Sequence, residues 1–286
     1  MTMMDTTPAF TGRNWRYWTE PTILDIDGVP TAYRRGGAGE TLVYLHGGGH
    51  TRAWTPLHRE LAQHFDVIAP EHPGFGDSPR PAEMDNWEDW ILHYDAFFRA
   101  LDLDHFHLVG TSLGAWLAAN LAIYYPERYR SLTLITPLGV RIPDEPLFDI
   151  FRLSPAEGLD RLLNGRATQH EDQLAQEDDF EDGIQAFRED STAALLMWNP
   201  RYDLKLDHRL SRITAPTLVL AAEDDRTVGN EQARGFADRI PSATLTVLAG
   251  PGGEPSSHGM VIDQSAEVAA TVAAHVAAAV AEPAAV

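Results

Sequence analysis

The chain reads as an α/β protein: a mostly parallel sheet with helices on both faces and one helical insertion. Three observations predict this. Apolar runs of strand length alternate with segments of helical period, the pattern that builds a parallel sheet. Several of these runs, such as Thr41-Leu42-Val43-Tyr44-Leu45, are almost continuously apolar, as strands covered on both faces are. The alternation stops after Thr136-Pro137, gives way to helical stretches, and resumes at Pro216.

In chain order, residues 1–12 are polar and read as an unstructured lead. Residues 22–26 and 29–34 alternate in hydrophobicity around Asp27-Gly28, a hairpin signal. Residues 36–39 are expected as a turn, 41–45 as a buried strand, 57–65 as a helix and 67–69 as the next strand. Apolar residues at 87, 90, 91, 94, 97, 98 and 101 have helical spacing. Residues 105–109 read as a strand, 115–122 as a helix and 132–135 as a further strand. The core is therefore assigned to residues 1–137 and 210–286, and 138–209 to a helical cap. That cap is rich in apolar side chains, Leu147, Phe148, Ile150, Phe151, Leu196 and Trp198 among them. Its acidic run, residues 177–182, reads as a solvated face because it lacks the glycine-centred spacing of a calcium loop. After it come a strand at 216–221, a helix near 231–240, a strand at 244–248 and an alanine-rich helix at 268–280.

Composition narrows the function. Apolar residues make up 44% of the 286, as in soluble globular proteins, and no run is long enough to span a membrane. The start of the chain lacks a basic stretch followed by an apolar one, and there is no cysteine, so cytoplasmic residence is expected. Thiolate metal sites and cysteine nucleophiles are excluded. Lys plus Arg number 22 against 42 Asp plus Glu, a net charge of −20, and Lys205 is the single lysine. Such a field disfavours nucleic acid, anionic lipid and strongly anionic substrates.

The most informative stretch is Gly110-Thr111-Ser112-Leu113-Gly114, between an expected strand and an expected helix. That setting makes it a nucleophile elbow. Its glycines leave room for the neighbouring strand and helix, while the serine is held strained with its hydroxyl projecting. A serine hydroxyl needs a base, and the base needs an orienting group. Both stand after later strands: Asp224-Asp225 beyond Ala221, and His258 in the loop beyond Leu248. The cluster His46-Gly47-Gly48-Gly49-His50 ends an earlier buried strand, where backbone N–H groups can approach a ligand closely.

On these residues the chain resembles an α/β-hydrolase, from His46-Gly47-Gly48 through the elbow and Asp225 to His258. The resemblance covers nearly the whole length and implies a sheet of about eight strands with an inserted cap. It also implies a triad of Ser112, His258 and Asp225. The family's acid sits in a pattern like Gly-x-x-Asp-x-x-Val. Here Ala222 to Val228 matches with alanine for glycine, which favours Asp225 and leaves Asp224 as the alternative. The family's histidine often follows a glycine, whereas Ser257 precedes His258. The implied oxyanion donors are the backbone N–H groups of Leu113 and Gly48, with Gly49 the alternative to Gly48. Gly49 and His50 are candidate pocket residues. A serine at the elbow argues against haloalkane dehalogenases and epoxide hydrolases, which carry aspartate there.

The expectation is a serine hydrolase, with neither cofactor nor metal, that cleaves a small-to-medium carboxylic ester through an acyl-enzyme. Two alternatives use the same parts: C–C bond hydrolysis of diketone-type substrates, and lactone hydrolysis. Many C–C hydrolases carry Gly-Pro-Gly after the oxyanion glycine, where this chain has Gly49-His50-Thr51-Arg52. The alternative from a different class is a ligand-binding member of the fold with little or no turnover. His46 is expected to brace the loop, His105 and His107 to pack rather than bind metal, His275 to lie on a helix surface, Trp116 to sit in the core, and Ser78 to shape a turn.

Overall fold

The computed structural model describes residues 16–143, 149–174, 180–197 and 205–281, with residues 180–182 described in backbone only. The expected lead at 1–12, the apolar Leu147, Phe148 and Trp198, and the acidic side chains of 177–182 lie outside the described residues.

Eight strands form one sheet. They are β1 (Thr22–Ile26), β2 (Val29–Gly37), β3 (Thr41–Leu45), β4 (Asp66–Pro70), β5 (Phe106–Thr111), β6 (Tyr129–Ile135), β7 (Thr217–Ala222) and β8 (Ala243–Leu248). Their spatial order is β1-β2-β4-β3-β5-β6-β7-β8. The β1/β2 and β2/β4 pairs are antiparallel. All other pairs are parallel, which puts the carboxyl ends of β3, β5, β6, β7 and β8 on one rim. Asp27 and Gly28, at φ 51° and 86°, make the β1/β2 turn, the left-handed geometry a two-residue hairpin demands.

The period of two along each strand sorts side chains into two cores. Leu42, Tyr44, Val67 and Val109 pack with Leu57 and Leu61 of α1 (Pro56–Leu61) and with Val268, Val272 and Val276 of α9 (Ser265–Ala281). Val43, Leu45, Ile68 and Leu108 face the other way. They pack against α2 (Trp87–Ala100), α3 (Leu113–Tyr124) and Phe236 of α7 (Asn230–Arg239). Helix α2 starts with a capping box in which Asn86 accepts from Glu88 N–H and Asp89 from Asn86 N–H. Helix α3 is apolar on every side and accordingly buried almost throughout; Trp116 is fully buried in it.

Between β6 and β7 the chain inserts α4 (Pro155–Leu162), α5 (Phe180–Met197) and α6 (Leu206–Arg209). Leu196 and Leu206 reach into the main core, so the insertion is packed onto the sheet domain. A short α8 (Met260–Asp263), not foreseen from the sequence, follows His258. Among the described residues no helix is long and apolar enough to cross a membrane.

Three local expectations are corrected. Helix α1 stops at Leu61 instead of 65, because Gln63 and His64 bond three residues back to Glu60 and Leu61 and tighten the last turn out of the helix. His105 lies before β5 and is exposed, so it shares no strand face with buried His107. His275 is half-buried, its ring within 3.2 Å of the Pro216 carbonyl, instead of lying on an open surface.

Candidate active site

Thr111 closes β5 and Leu113 opens α3, so Ser112 alone makes the turn between them. Ser112 has φ 52° and ψ −115°, a region L-residues rarely occupy. Its N–H donates to Ile135 O at 2.9 Å. A Cβ at Gly110 would lie 2.2 Å from Gly114 O, and one at Gly114 would lie 2.2 Å from Leu45 O and 2.4 Å from His46 O. Helix and strand approach so closely that only glycine fits at either position.

The acid follows β7 and the base follows β8, the last strand. His258 Nε2 is 3.0 Å from Ser112 Oγ, and its Nδ1 is 2.7 Å from Asp225 Oδ2. An Nδ1–H that donates to the carboxylate leaves Nε2 free to accept the serine proton. The other Asp225 oxygen accepts from Thr227 and Val228 N–H, both at 2.9 Å. Burial pushes the Asp225 carboxyl up, but the His258 ring and these two donors outweigh it and hold the carboxyl below its ordinary value. Asp224 points elsewhere: its Oδ2 pairs with Arg226 at 2.8 Å on the surface. The acid and histidine loops are stitched together by Ser256, whose Oγ accepts from Glu223 N–H at 2.6 Å and donates to Leu248 O at 2.5 Å. Beyond the histidine, Gly259 N–H donates to Leu162 O of α4 at 2.9 Å, and Arg166 pairs with buried Asp263 at 2.7 Å. The insertion thus holds the His258 segment directly.

The glycine loop after β3 lies alongside the elbow, because Leu45 and Gly110 are register neighbours. A Cβ on Gly47 would touch Ser112 Cβ at 3.4 Å, whereas one on Gly48 would meet nothing within 4 Å. Gly48 therefore opens onto the cavity in front of Ser112. Leu113 is the first residue of α3, where a backbone N–H has no intrahelical partner and faces the positive end of the helix dipole. His46 braces this loop: Nδ1 donates to Gly47 O at 2.7 Å, and Nε2 accepts from His72 N–H at 3.0 Å. Both ring nitrogens are used, and burial pushes the imidazole down to about 4. Ser78 is likewise structural, its Oγ accepting from Ala32 N–H at 2.9 Å.

Ser112, His258, Gly48, Gly49, His50 and Leu113 all line one cavity of about 370 Å³, the size of a small-molecule site. Its walls are largely apolar, with Leu138, Phe151, Leu159, Met197, Val228 and Ile262 among them. Among the described residues no group of three His, Cys, Asp or Glu could hold a metal ion.

Sequence reasoning missed the polar frame behind the oxyanion loop. Glu71 is buried and bonds Arg34 at 2.7 Å, Asp77 N–H at 2.6 Å and Arg52 N–H. Glu189 of α5 accepts from Thr51 Oγ at 2.9 Å, Gly76 N–H at 2.8 Å and Gln185 at 3.0 Å. Burial raises both carboxyls above their ordinary value. The only sequence signal was Glu71 directly after a buried strand; Glu189 sits in an amphipathic helix like any surface acid.

Residues 42–271 match the model of the alpha/beta hydrolase family. The chain is 30% identical over 231 residues to a 2-hydroxy-6-oxo-6-phenylhexa-2,4-dienoate hydrolase of Burkholderia cepacia, covering 74% of this chain and 80% of that protein. It is 39% identical over 121 residues to a 2-hydroxymuconate semialdehyde hydrolase of Pseudomonas sp. (strain CF600). That match covers 41% of this chain and 43% of the relative's length. A crystal structure of a serine hydrolase involved in carbazole degradation superposes with a TM-score of 0.71 at 21% identity, over 91% of this chain and 99% of the other. Such relatives mostly cleave C–C bonds, so the comparisons favour that alternative over the ester reading. With the sheet, the elbow and the hydrogen-bonded serine, histidine and aspartate in place, the chain belongs to the alpha/beta-hydrolase family.

Proposed function

We propose that the protein is a serine hydrolase that cleaves a bond beside the carbonyl of a small, largely apolar molecule. The observation that carries this is the unbroken chain from Ser112 through His258 to Asp225, with Ser112 and His258 lining a largely apolar cavity. Ser112 Oγ attacks the carbonyl carbon as His258 Nε2 takes its proton. Asp225 keeps the ring in the productive tautomer and stabilises the imidazolium. The oxyanion is received by Leu113 N–H and Gly48 N–H, donors of a kind each worth on the order of 10²–10³ in rate. The leaving fragment then takes the proton from His258. A water deprotonated by the same nitrogen releases the acid and restores Ser112.

The relatives support a C–C bond as the one broken, with a ketone carbonyl attacked and the adjacent carbon leaving as an enol. One observation favours the ester reading instead. Those relatives are named for dienoates, and no lysine or arginine lines the cavity among the described residues to receive a carboxylate.

A fluorophosphonate probe should label the wild type and leave Ser112→Ala unlabelled. A vinylogous diketone and a chain-length series of activated esters, assayed side by side, rank the two bonds. An unlabelled wild type that turns over neither class would exclude the hydrolase reading and leave a binding protein.

A further inference from the structure

The turn that ends α4 touches both loops that carry the triad. Asn164 and Gly165, at φ 52° and 84°, reverse the chain there, a left-handed geometry that asparagine and glycine accept. Around that reversal the same short stretch makes three contacts. Leu162 O accepts from Gly259 N–H at 2.9 Å, next to His258. Asn164 Nδ2 donates to Asp224 O at 2.8 Å, next to Asp225. Arg166 pairs with Asp263 at 2.7 Å, their side chains 10% and 0% exposed. The approach is close: a Cβ on Gly259 would lie 2.6 Å from the Leu163 side chain, and Leu163 packs with Ile262. The histidine stretch has few other anchors. Ser256 ties it to the acid loop ahead of His258, and Met260 packs into the core beside α1 and α9. Among the described residues, the remaining backbone hydrogen bonds of 257–263 stay within 257–265.

We infer that Asn164 and Arg166 are positioning residues that hold the Asp225–His258 pair in register with Ser112. This rests on the hydrolase reading of the same site and adds the residues that set its geometry. The bonds to Asp224 O and Gly259 N–H fix the backbone one residue before the acid and one residue after the base. Asn164 grips a main-chain carbonyl, so its hold does not depend on the Asp224 side chain. Arg166 ties both ends of the histidine stretch to the turn, because Ser257 Oγ and the guanidinium meet on one Asp263 oxygen, at 3.4 and 2.7 Å. Leu159 and Leu162 of the same helix line the cavity. One element therefore supplies both a wall for the substrate and the frame that aims the base. Loosening the frame displaces His258 and leaves the walls in place, so the loss falls on kcat more than on KM.

The test compares Asn164→Gly, Arg166→Met and Arg166→Lys with a control, Ser154→Ala. Glycine keeps the left-handed turn and removes only the amide side chain. Ser154→Ala loosens the far end of α4, where Ser154 and Glu157 form an exposed capping box. With 4-nitrophenyl butyrate, Asn164→Gly and Arg166→Met should lower kcat about 10- to 100-fold and leave KM within about twofold. Arg166→Lys keeps the charge and should recover most of the loss, and Ser154→Ala should leave kcat unchanged. If the ester is not turned over, the rate of fluorophosphonate labelling replaces kcat. The low-field proton NMR signal of His258 Nδ1–H, identified by its loss in His258→Ala, should weaken or move upfield in Asn164→Gly and stay in place in Ser154→Ala. If Arg166→Met does not fold, Asn164→Gly decides alone, with a melting temperature near that of Ser154→Ala as the check on folding. An unmoved signal or an unchanged rate in Asn164→Gly, a loss carried by KM, an equal loss in Ser154→Ala, or a wild type without the signal overturns the proposal. A wild type that shows the signal but neither turns over the ester nor takes the probe removes the hydrolase reading alone, and the signal in Asn164→Gly still decides the positioning.

Discussion

Mild acid should destabilise this protein, and the buried histidines set the sign of the effect. His46, His58 and His93 are 6%, 4% and 6% exposed. Burial, the largest influence on each, pushes their imidazoles down to about 4, about 3 and about 4. In the unfolded chain the same rings titrate near ~6.5. Between those values the unfolded chain holds protons that the folded chain does not. The stability these rings provide is therefore complete above ~6.5 and is lost as the pH falls towards their folded values. At a pH of about 5 each ring costs about 2 kcal/mol, or about 6 kcal/mol for three. Glu71 and Glu189 act in the opposite sense, because burial raises their folded carboxyls and protonation relieves them. The rings pushed down by burial, His50 and His72 included, outnumber these two carboxyls, which sets the expected sign. The net expectation is a loss of several kcal/mol out of the ~5–15 typical of a folded domain. Urea denaturation followed by tryptophan fluorescence, at pH values from about 7.5 to about 5, measures it. The unfolding free energy should begin to fall below ~6.5, and His58→Asn should make the slope shallower by one ring's share. A free energy that stays flat or rises over that range refutes the argument.

Further tests follow from individual contacts. Asp225→Asn keeps the shape but loses the histidine tautomer, so turnover should drop about 10⁴-fold. Asp224→Asn, which disturbs a surface pair with Arg226 and a 3.4 Å bond from Asn164 Nδ2, should change turnover by less than about threefold; steady-state kinetics on any accepted substrate decide between them. Gly114→Ala places a Cβ 2.2 Å from Leu45 O and should cost more than about 4 kcal/mol or prevent soluble expression; a melting temperature near wild type would contradict the close approach. Glu189→Ala removes the acceptor for Thr51, Gly76 and Gln185 and should lower kcat and cost about 1–3 kcal/mol. Glu189→Gln, which keeps an acceptor oxygen, should recover most of both, and equal losses in the two variants would show that charge, not acceptance, is what matters.

The fold was legible because its signals are local. Thr41 to Leu45 reads as a strand buried on both faces, and the structure places Leu42 and Val43 in different cores. The elbow was legible for the same reason: Gly110 and Gly114 are fixed by steric contact within a few residues of Ser112. The pairing of His258 with Asp225 instead of Asp224 is a long-range fact, yet the spacing to Val228 encodes it, because the Thr227 and Val228 N–H groups hold the carboxylate. The polar frame had no such signature. Glu71 and Glu189 are 118 residues apart in sequence by subtraction of their numbers, and each gains its meaning only from what the fold brings against it. The ester preference rested on the apolar cap, the net charge and the Gly49-His50-Thr51-Arg52 stretch in place of Gly-Pro-Gly, and the cap and charge say nothing about which bond is broken.

That frame accounts for a loop whose sequence looks unsuited to its position. Where many C–C hydrolases have a flexible glycine-proline element, this chain has Gly49-His50-Thr51-Arg52, and both His50 and Arg52 adopt positive φ, 58° and 61°. Such conformations cost of order 1–3 kcal/mol each in a non-glycine residue. They persist because Glu71 holds Arg52 N–H and Glu189 holds Thr51 Oγ. The glycine loop after β3 is thus shaped by two carboxylates, and one of them belongs to the inserted helix. On that helix Glu189 and Asp190 are successive residues about 100° apart: Glu189 bonds the loop after β3, and Asp190 lines the cavity in front of Ser112. Any displacement of α5 must change both together.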